Sequence, residues 1–278
     1  MPAVRGLLVD RPRWTCSSAV GALVTGGSRG IGLSVARALA AEGVDVAIAA
    51  RDPERLEAAA SGLRAASVRR IIPVVIDTAD DASVRAAVAA VVDALGGIDI
   101  LVNNAAQPGS QAPPAKLVNT TDEDFLADLN VKVLGYLRCA RAVAPFMIEQ
   151  GWGRIINVSG LAARQTGNTV GSVRNVSVAA MTKNLADELG RHGINVTVVH
   201  PGITRTERTP GMIEAQARRL GVDQSEVEAR MGSRVAIGRI VDSAEVADVI
   251  CFLASPRSVA ITGDAIVVGG GALGTIHY

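Results

Sequence analysis

Aromatic residues make up only 3% of the 278-residue chain, and just two of them, Tyr136 and Tyr278, are tyrosines. Chemistry that needs a phenol therefore has two candidates. The three cysteines, Cys16, Cys139 and Cys251, lie far apart with no CxxC pair. An odd, sparse set builds no disulfide framework and fits a reducing compartment such as the cytoplasm. His192, His200 and His277 stand at no spacing that joins them to cysteines or carboxylates as a metal site. Neither sign of charge is in excess: 28 Lys+Arg face 27 Asp+Glu, a net charge of +1. That excludes a protein that works by coating nucleic acid or an anionic membrane. No uncharged run reaches the roughly 18 residues of a membrane span. Arg5, Asp10, Arg11 and Arg13 stand where a signal peptide would be apolar. Residues 1–18 read as a loose arm.

Hydrophobic residues are 49% and charged residues 20%, which excludes disorder by composition. A chain of this length buries roughly 75% of its unfolded surface. Apolar, β-branched runs alternate with helical patterns. Strands are expected at 22–25, 44–49, 71–76, 100–102, 155–158, 195–199 and 265–268. Helices are expected at 31–42, 53–66, 82–95, 121–147, 172–192 and 243–253. Strands alternating with helices of 10–20 residues imply right-handed βαβ units, so the fold class is α/β. The sheet is a doubly wound parallel one of about seven strands in one Rossmann-type domain, 19–278. Continuous apolar runs such as 71–76 predict strands buried on both faces. Residues 202–240 break the alternation and read as a lid inserted before the last helix and strand.

The first strand runs into Thr25-Gly26-Gly27-Ser28-Arg29-Gly30-Ile31-Gly32, which opens a helix. Glycines let the backbone approach a pyrophosphate, and the helix start offers free N–H groups and a positive dipole end. The second strand ends at Ala50-Arg51 rather than at a carboxylate. Arg51, with Arg29 nearby, suits a 2′-phosphate, so NADP(H) is favoured over NAD(H).

At this point the chain resembles the short-chain dehydrogenase/reductase family, from about residue 19 to 270. Thr25-Gly26-x-x-x-Gly30-x-Gly32 is similar to the family's cofactor turn, and Asn103-Asn104-Ala105-Ala106 to its NNAG motif, with Ala106 in place of glycine. The resemblance implies cofactor contacts at Gly26, Ser28, Arg29, Gly30, Ile31 and Gly32, at Arg51, at Asp77 and Thr78 beside the adenine, and at Asn104 and Ala105. It implies others at Asn175 near the ribose and at Pro201, Gly202, Ile203 and Thr206 along the nicotinamide. It also implies a homodimer or homotetramer built through helices 121–147 and 172–192, and a small-molecule substrate.

The family's chemistry uses Ser, Tyr and Lys with a helix Asn. Counting from Met181-Thr182-Lys183, Gly171 stands for Tyr and Asn175 for Lys. Gly160 stands for Ser, with Ser159 one place earlier, while Asn130 matches the helix asparagine. Asn130 and Ser159 are thus the candidate catalytic residues. Lys183, eight residues past Asn175, lies roughly 12 Å farther along the helix and cannot replace it. Tyr136 is expected to face elsewhere, Tyr278 could reach a site from the tail, and Arg174 could touch a ribose. Ketone reduction makes an alkoxide and gains about 10²–10⁴-fold from a positioned acid, whereas iminium reduction needs none. The missing tyrosine and lysine therefore favour NADPH-dependent reduction of a pre-activated iminium formed from a hemiaminal, in detoxification, antibiotic inactivation or natural-product tailoring. The lost ammonium would no longer repel such a cation, and Gly160 and Gly171 would leave room for a bulky, polycyclic substrate. The alternatives are a pseudoenzyme that binds NADP(H) and a carbonyl reductase with an unrecognised acid.

Overall fold

The computed structural model describes residues 20–107 and 117–273. The arm at 1–18 and Tyr278 lie outside the described residues. The chain order begins β1 (Gly21–Thr25), α1 (Gly30–Ala41), β2 (Asp45–Ala50), α2 (Pro53–Ala66), β3 (Ile71–Val75), α3 (Asp81–Leu95) and β4 (Ile100–Asn103). It continues through α4 (Asp122–Leu129), α5 (Gly135–Gln150), β5 (Gly153–Val158), α6 (Thr169–Leu189) and β6 (Ile194–Pro201). Then come β7 (Thr204–Arg205), α7 (Thr209–Leu220), α8 (Gln224–Gly232), β8 (Val241–Asp242), α9 (Ser243–Ala254) and β9 (Ala265–Val268).

Seven strands form one parallel sheet in the order β3-β2-β1-β4-β5-β6-β9, and β7 pairs with β8 as a separate ribbon. One face is covered by α1, α2 and α9, whose Val35, Leu39, Leu56, Leu63, Val246 and Ile250 join the apolar core there. The other is covered by α3, α5 and α6 through Val84, Val91, Val143, Met147 and Leu189. Each such side chain, taken fully out of water, contributes about 1.5–3 kcal/mol. Local signals fix the ends of the helices. Asp52 accepts from the Arg55 N–H at 3.1 Å ahead of Pro53, and Asp80 accepts from the Ala82 N–H at 2.9 Å. Gly96, at φ +84°, ends α3.

Two expectations are corrected. The run 71–76 is not buried on both faces. β3 is an edge strand with Ile72, Pro73 and Val74 half-buried and Val75 exposed. Pro73 has no N–H to give a further strand and belongs at an edge. The helix at 121–147 is not α-helical throughout either. α4 and α5 are joined by a π-helical turn, Asn130–Leu134, and such turns often mark functional sites. The strand order reverses direction between β1 and β4, which opens a crevice at their carboxyl ends, the usual ligand position in open α/β sheets.

Candidate active site

At that crevice the Thr25 hydroxyl ties two loops together. It accepts from the N–H groups of Asn104 (3.0 Å) and Ala105 (3.1 Å), while Asn104 Nδ2 donates to the Gly26 carbonyl at 3.3 Å. A groove of about 340 Å³ runs past the turn, lined by Gly26, Ser28, Arg29, Gly30, Ile31, Arg51, Thr78, Asn104 and Ala105 among others. The turn fits a dinucleotide. A Cβ at Gly32 would stand 2.3 Å from the Gly26 carbonyl oxygen, and one at Gly26 would stand 2.9 Å from Asn104 Nδ2. The φ angles of +66° at Gly26 and +56° at Gly30 favour glycine. No side chain caps α1. Instead the Gly30 N–H donates to the Glu207 carboxylate at 3.1 Å, so an anionic oxygen already stands where a pyrophosphate would bind. Arg55 and Arg208 also line the groove, and sequence reasoning missed both. Asp77 is not brought in: it folds back on its own loop, accepting from the Ala79 N–H at 3.0 Å. Its neighbour Thr78 lines the groove and donates to the Val131 carbonyl at 3.0 Å.

A second cavity of about 730 Å³ opens at the carboxyl ends of β4, β5 and β6. Pro201, Gly202, Ile203, Thr206, Ser159, Gly160, Arg174 and Asn175 all line it. Ile31, Asn104, Ala106 and Thr206 line both spaces, so the two are continuous. Asn175 therefore faces the larger cavity rather than the groove. Ser159 is buried, and its hydroxyl donates to the Asn175 carbonyl at 3.1 Å. Gly171 does not line the cavity. A Cβ there would meet the Asn168 side chain at 3.0 Å, and Asn168 caps α6 by accepting from the Gly171 N–H at 2.8 Å. The room expected at Gly171 is filled by Asn168, and although Gly160 lines the cavity, a Cβ there would meet Asn175 Nδ2 at 3.2 Å.

The π turn redirects the side chains expected to be catalytic. Asn130 lines neither space; Arg138 Nη2 donates to its Oδ1 at 2.8 Å. Two residues on, Lys132 points inward with only 4% exposure and lines the larger cavity. Its Nζ donates to the Ser159 carbonyl at 2.9 Å and to Asn175 Oδ1 at 3.2 Å. An ammonium thus does reach the place where the family's lysine was expected, but from the neighbouring helix. Burial is the largest cause lowering its pKa, from 10.5 to about 7. Arg174 lowers it further, and Asp128 opposes both. Arg174 is itself held by both carboxylate oxygens of Asp128 at 2.7 Å. Tyr136 is fully buried with its hydroxyl on the Val158 carbonyl at 2.9 Å, and burial raises its pKa. It faces away from the cavity, as expected. Lys183 is exposed and paired with Asp187. The sequence did carry a signal for Lys132: a lone lysine inside the apolar run Val131-Lys132-Val133-Leu134.

The model of the family described as enoyl-(acyl carrier protein) reductase matches residues 26–272. The chain belongs to the short-chain dehydrogenase/reductase family. Members of that family are nicotinamide-dependent oxidoreductases. The chain is 37% identical to the short-chain reductase protein NovJ of Streptomyces niveus, over 90% of this chain and 92% of that one. It is 36% identical to a putative ketoacyl reductase of Streptomyces coelicolor, over 90% and 95%. Among solved structures it is similar to L-sorbose reductase from Gluconobacter frateurii complexed with NADPH and L-sorbose. There the TM-score is 0.86 and the identity 29%, covering 93% of this chain and 98% of that one. It is also similar to a variant of actinorhodin polyketide ketoreductase with NADPH, with a TM-score of 0.83 and 34% identity, covering 91% and 96%. Among the described residues no helix is long and apolar enough to cross a membrane, and no cluster of His, Cys, Asp or Glu could hold a metal.

Proposed function

We propose that this protein is an NADPH-dependent reductase of a bulky ketone. The observation that carries the reading is the continuity of the glycine-turn groove with the larger cavity, through shared walls at Ile31, Asn104, Ala106 and Thr206. A dinucleotide along the turn and a substrate beside Lys132 and Gly160 would therefore meet. NADP(H) is the cofactor on this reading, supported by Arg29, Arg51 and Arg55 on the groove wall and by NADPH in the two structural relatives. When bound, NADPH supplies the hydride. The chain positions the substrate and supplies charge and protons. Met231, Arg234 and Arg239, from the segment 202–240, line the cavity, which supports reading that segment as a lid. The cytoplasm, which keeps thiols reduced, suits the free Cys139 and Cys251. Exposed Leu134, Ile148, Val173 and Val176, in the π turn and on α5 and α6, suit a homo-oligomer formed through these helices.

Reduction of an iminium derived from a hemiaminal is the second reading, favoured by the lack of a phenol among the described residues that line the cavity. The electrostatic argument for it does not hold. Lys132 and Arg234 line the cavity beside Arg174 and Arg239, which are paired with Asp128 and Glu245, and no carboxylate is among its described lining residues. Such a wall offers a cationic substrate no counter-charge. A neutral carbonyl substrate needs none.

The test is NADPH oxidation at 340 nm with panels of bulky ketones and hemiaminals side by side. Turnover of ketones supports the first reading. Turnover of hemiaminals alone supports the second. Tight NADPH binding without turnover of either panel would make the protein a cofactor-binding pseudoenzyme. A separate measurement checks the cofactor. Arg51→Asp should weaken NADPH binding by about 1.5–3 kcal/mol, the worth of a charge-assisted hydrogen bond, while leaving NADH binding nearly unchanged. Fluorescence titration of both cofactors reads this; equal dissociation constants in the native protein would contradict the assignment.

A further inference from the structure

We propose that Lys132 is the proton donor of this site, giving an ammonium proton to the substrate oxygen as the carbonyl is reduced. The proposal rests on the reductase reading above and supplies the acid that reading lacks. Lys132 Nζ is anchored on two sides, by the Ser159 carbonyl at the end of β5 and by Asn175 Oδ1 on α6. An ammonium has three donors, so a third N–H remains for an oxygen in the cavity that Lys132 lines.

The other lining groups are poorly suited. The Ser159 hydroxyl is given to the Asn175 carbonyl and the Thr204 hydroxyl to the Gly202 carbonyl. Arginines do not release a proton near neutrality, which excludes Arg174, Arg234 and Arg239. The Tyr136 phenol is turned to Val158. The charged and titratable groups facing Lys132 are Arg174 on α6, Asp128 on α4 and the Tyr136 ring on α5, its centroid 5.9 Å from Nζ. Burial and Arg174 together bring the ammonium to about 7, close to the working pH at which a general acid is most effective. Asn175 matters here because it is neutral. A carboxylate in its place would hold the proton on Nζ, and a second ammonium would expel it.

The step balances. Bound NADPH would supply hydride to the carbonyl carbon, the C=O π pair would move to oxygen, and that oxygen would take a proton from Nζ. The products would be an alcohol, NADP+ and a neutral amine. Water entering the open cavity returns the proton.

Two measurements on the full chain test this. The sequence holds three lysines, Lys116, Lys132 and Lys183, so selective ¹³C labelling gives a readable spectrum of the cofactor-free protein. The Lys132 Cε resonance, assigned by its loss in Lys132→Met, should titrate near 7. Lys132→Met should lower kcat/KM for ketones by about 10²–10⁴-fold, the usual worth of a general acid, with the NADPH dissociation constant within about threefold of wild type. Lys132→Arg, which keeps a charge but cannot release a proton, should remain equally slow. A titration near 10, a Lys132→Met protein that folds, binds NADPH and reduces ketones at the wild-type rate, or full rescue by Lys132→Arg would overturn the proposal. A wild-type protein that reduces no ketone would instead overturn the reductase reading, and the proposal with it.

Discussion

Asn175→Lys is expected to destabilise the protein by about 3–5 kcal/mol, the usual cost of an uncompensated buried charge. Asn175 Oδ1 accepts from Lys132 Nζ at 3.2 Å, and both residues are buried. The substitution removes that acceptor and brings a second amine against the first. Both cannot be protonated at that separation with both side chains buried. The exchange of the two residues, Lys132→Asn with Asn175→Lys, should recover most of the loss, because one amine then faces one carboxamide again. A double-mutant cycle in urea should thus give an interaction energy of about 2–3 kcal/mol in favour of the pair. Additive effects would show that the two side chains do not meet. The YxxxK pattern therefore cannot be rebuilt by Gly171→Tyr and Asn175→Lys while Lys132 remains. Gly171→Tyr would in addition displace Asn168 from its cap on α6.

Lys132→Met should raise stability at low pH and do so progressively less as pH rises. In the folded chain the ammonium titrates near 7, against 10.5 for an ordinary lysine. Below about 7 it is charged in both folded and unfolded states, and folding bears the full cost of burying the charge. Between 7 and 10.5 the unfolded chain binds more protons than the folded one, so wild-type stability from this group rises with pH. Above 10.5 the cost is gone. The gain in Tm on Lys132→Met should therefore be largest at pH 6 and smaller at pH 9. The Ser159 carbonyl and Asn175 Oδ1, which lose their donor, subtract a constant at every pH. Cys139, raised to about 12 by burial, titrates alike in both proteins and cancels in the difference. A gain independent of pH would mean that the amine is not buried as a charge.

The fold was legible in the sequence because its signals are local and repeated. Apolar runs flanked by Asp52-Pro53, Asp80 and Gly96-Gly97 mark strand and helix ends without reference to the rest of the chain. The glycine turn was legible for the same reason: close backbone approach needs glycine at fixed spacing. The chemistry was harder to see. An inserted π turn changes which side chains face inward, and nothing in Leu129-Asn130-Val131-Lys132 announces it. An asparagine in a familiar setting drew attention, while its carboxamide is taken by Arg138. The loss of lysine at 175 read as the loss of a charge. Its return from a helix 43 positions earlier in the chain is a tertiary fact. The edge position of β3 was partly legible, since Pro73 argues against a central strand. Gly171 read as free space because its neighbour Asn168, which fills that space, belongs to the capping of α6 and not to any catalytic pattern.

The central claim, reduction of a carbonyl at a site whose acid is Lys132, is tested most directly by the pH dependence of kcat/KM with the best ketone at saturating NADPH. The rate should be level below about pH 7 and fall tenfold per unit above it, as the ammonium loses its proton. A rate that instead rises through pH 7 would contradict it, because the active form would then hold a neutral amine, as reduction of a cationic iminium requires.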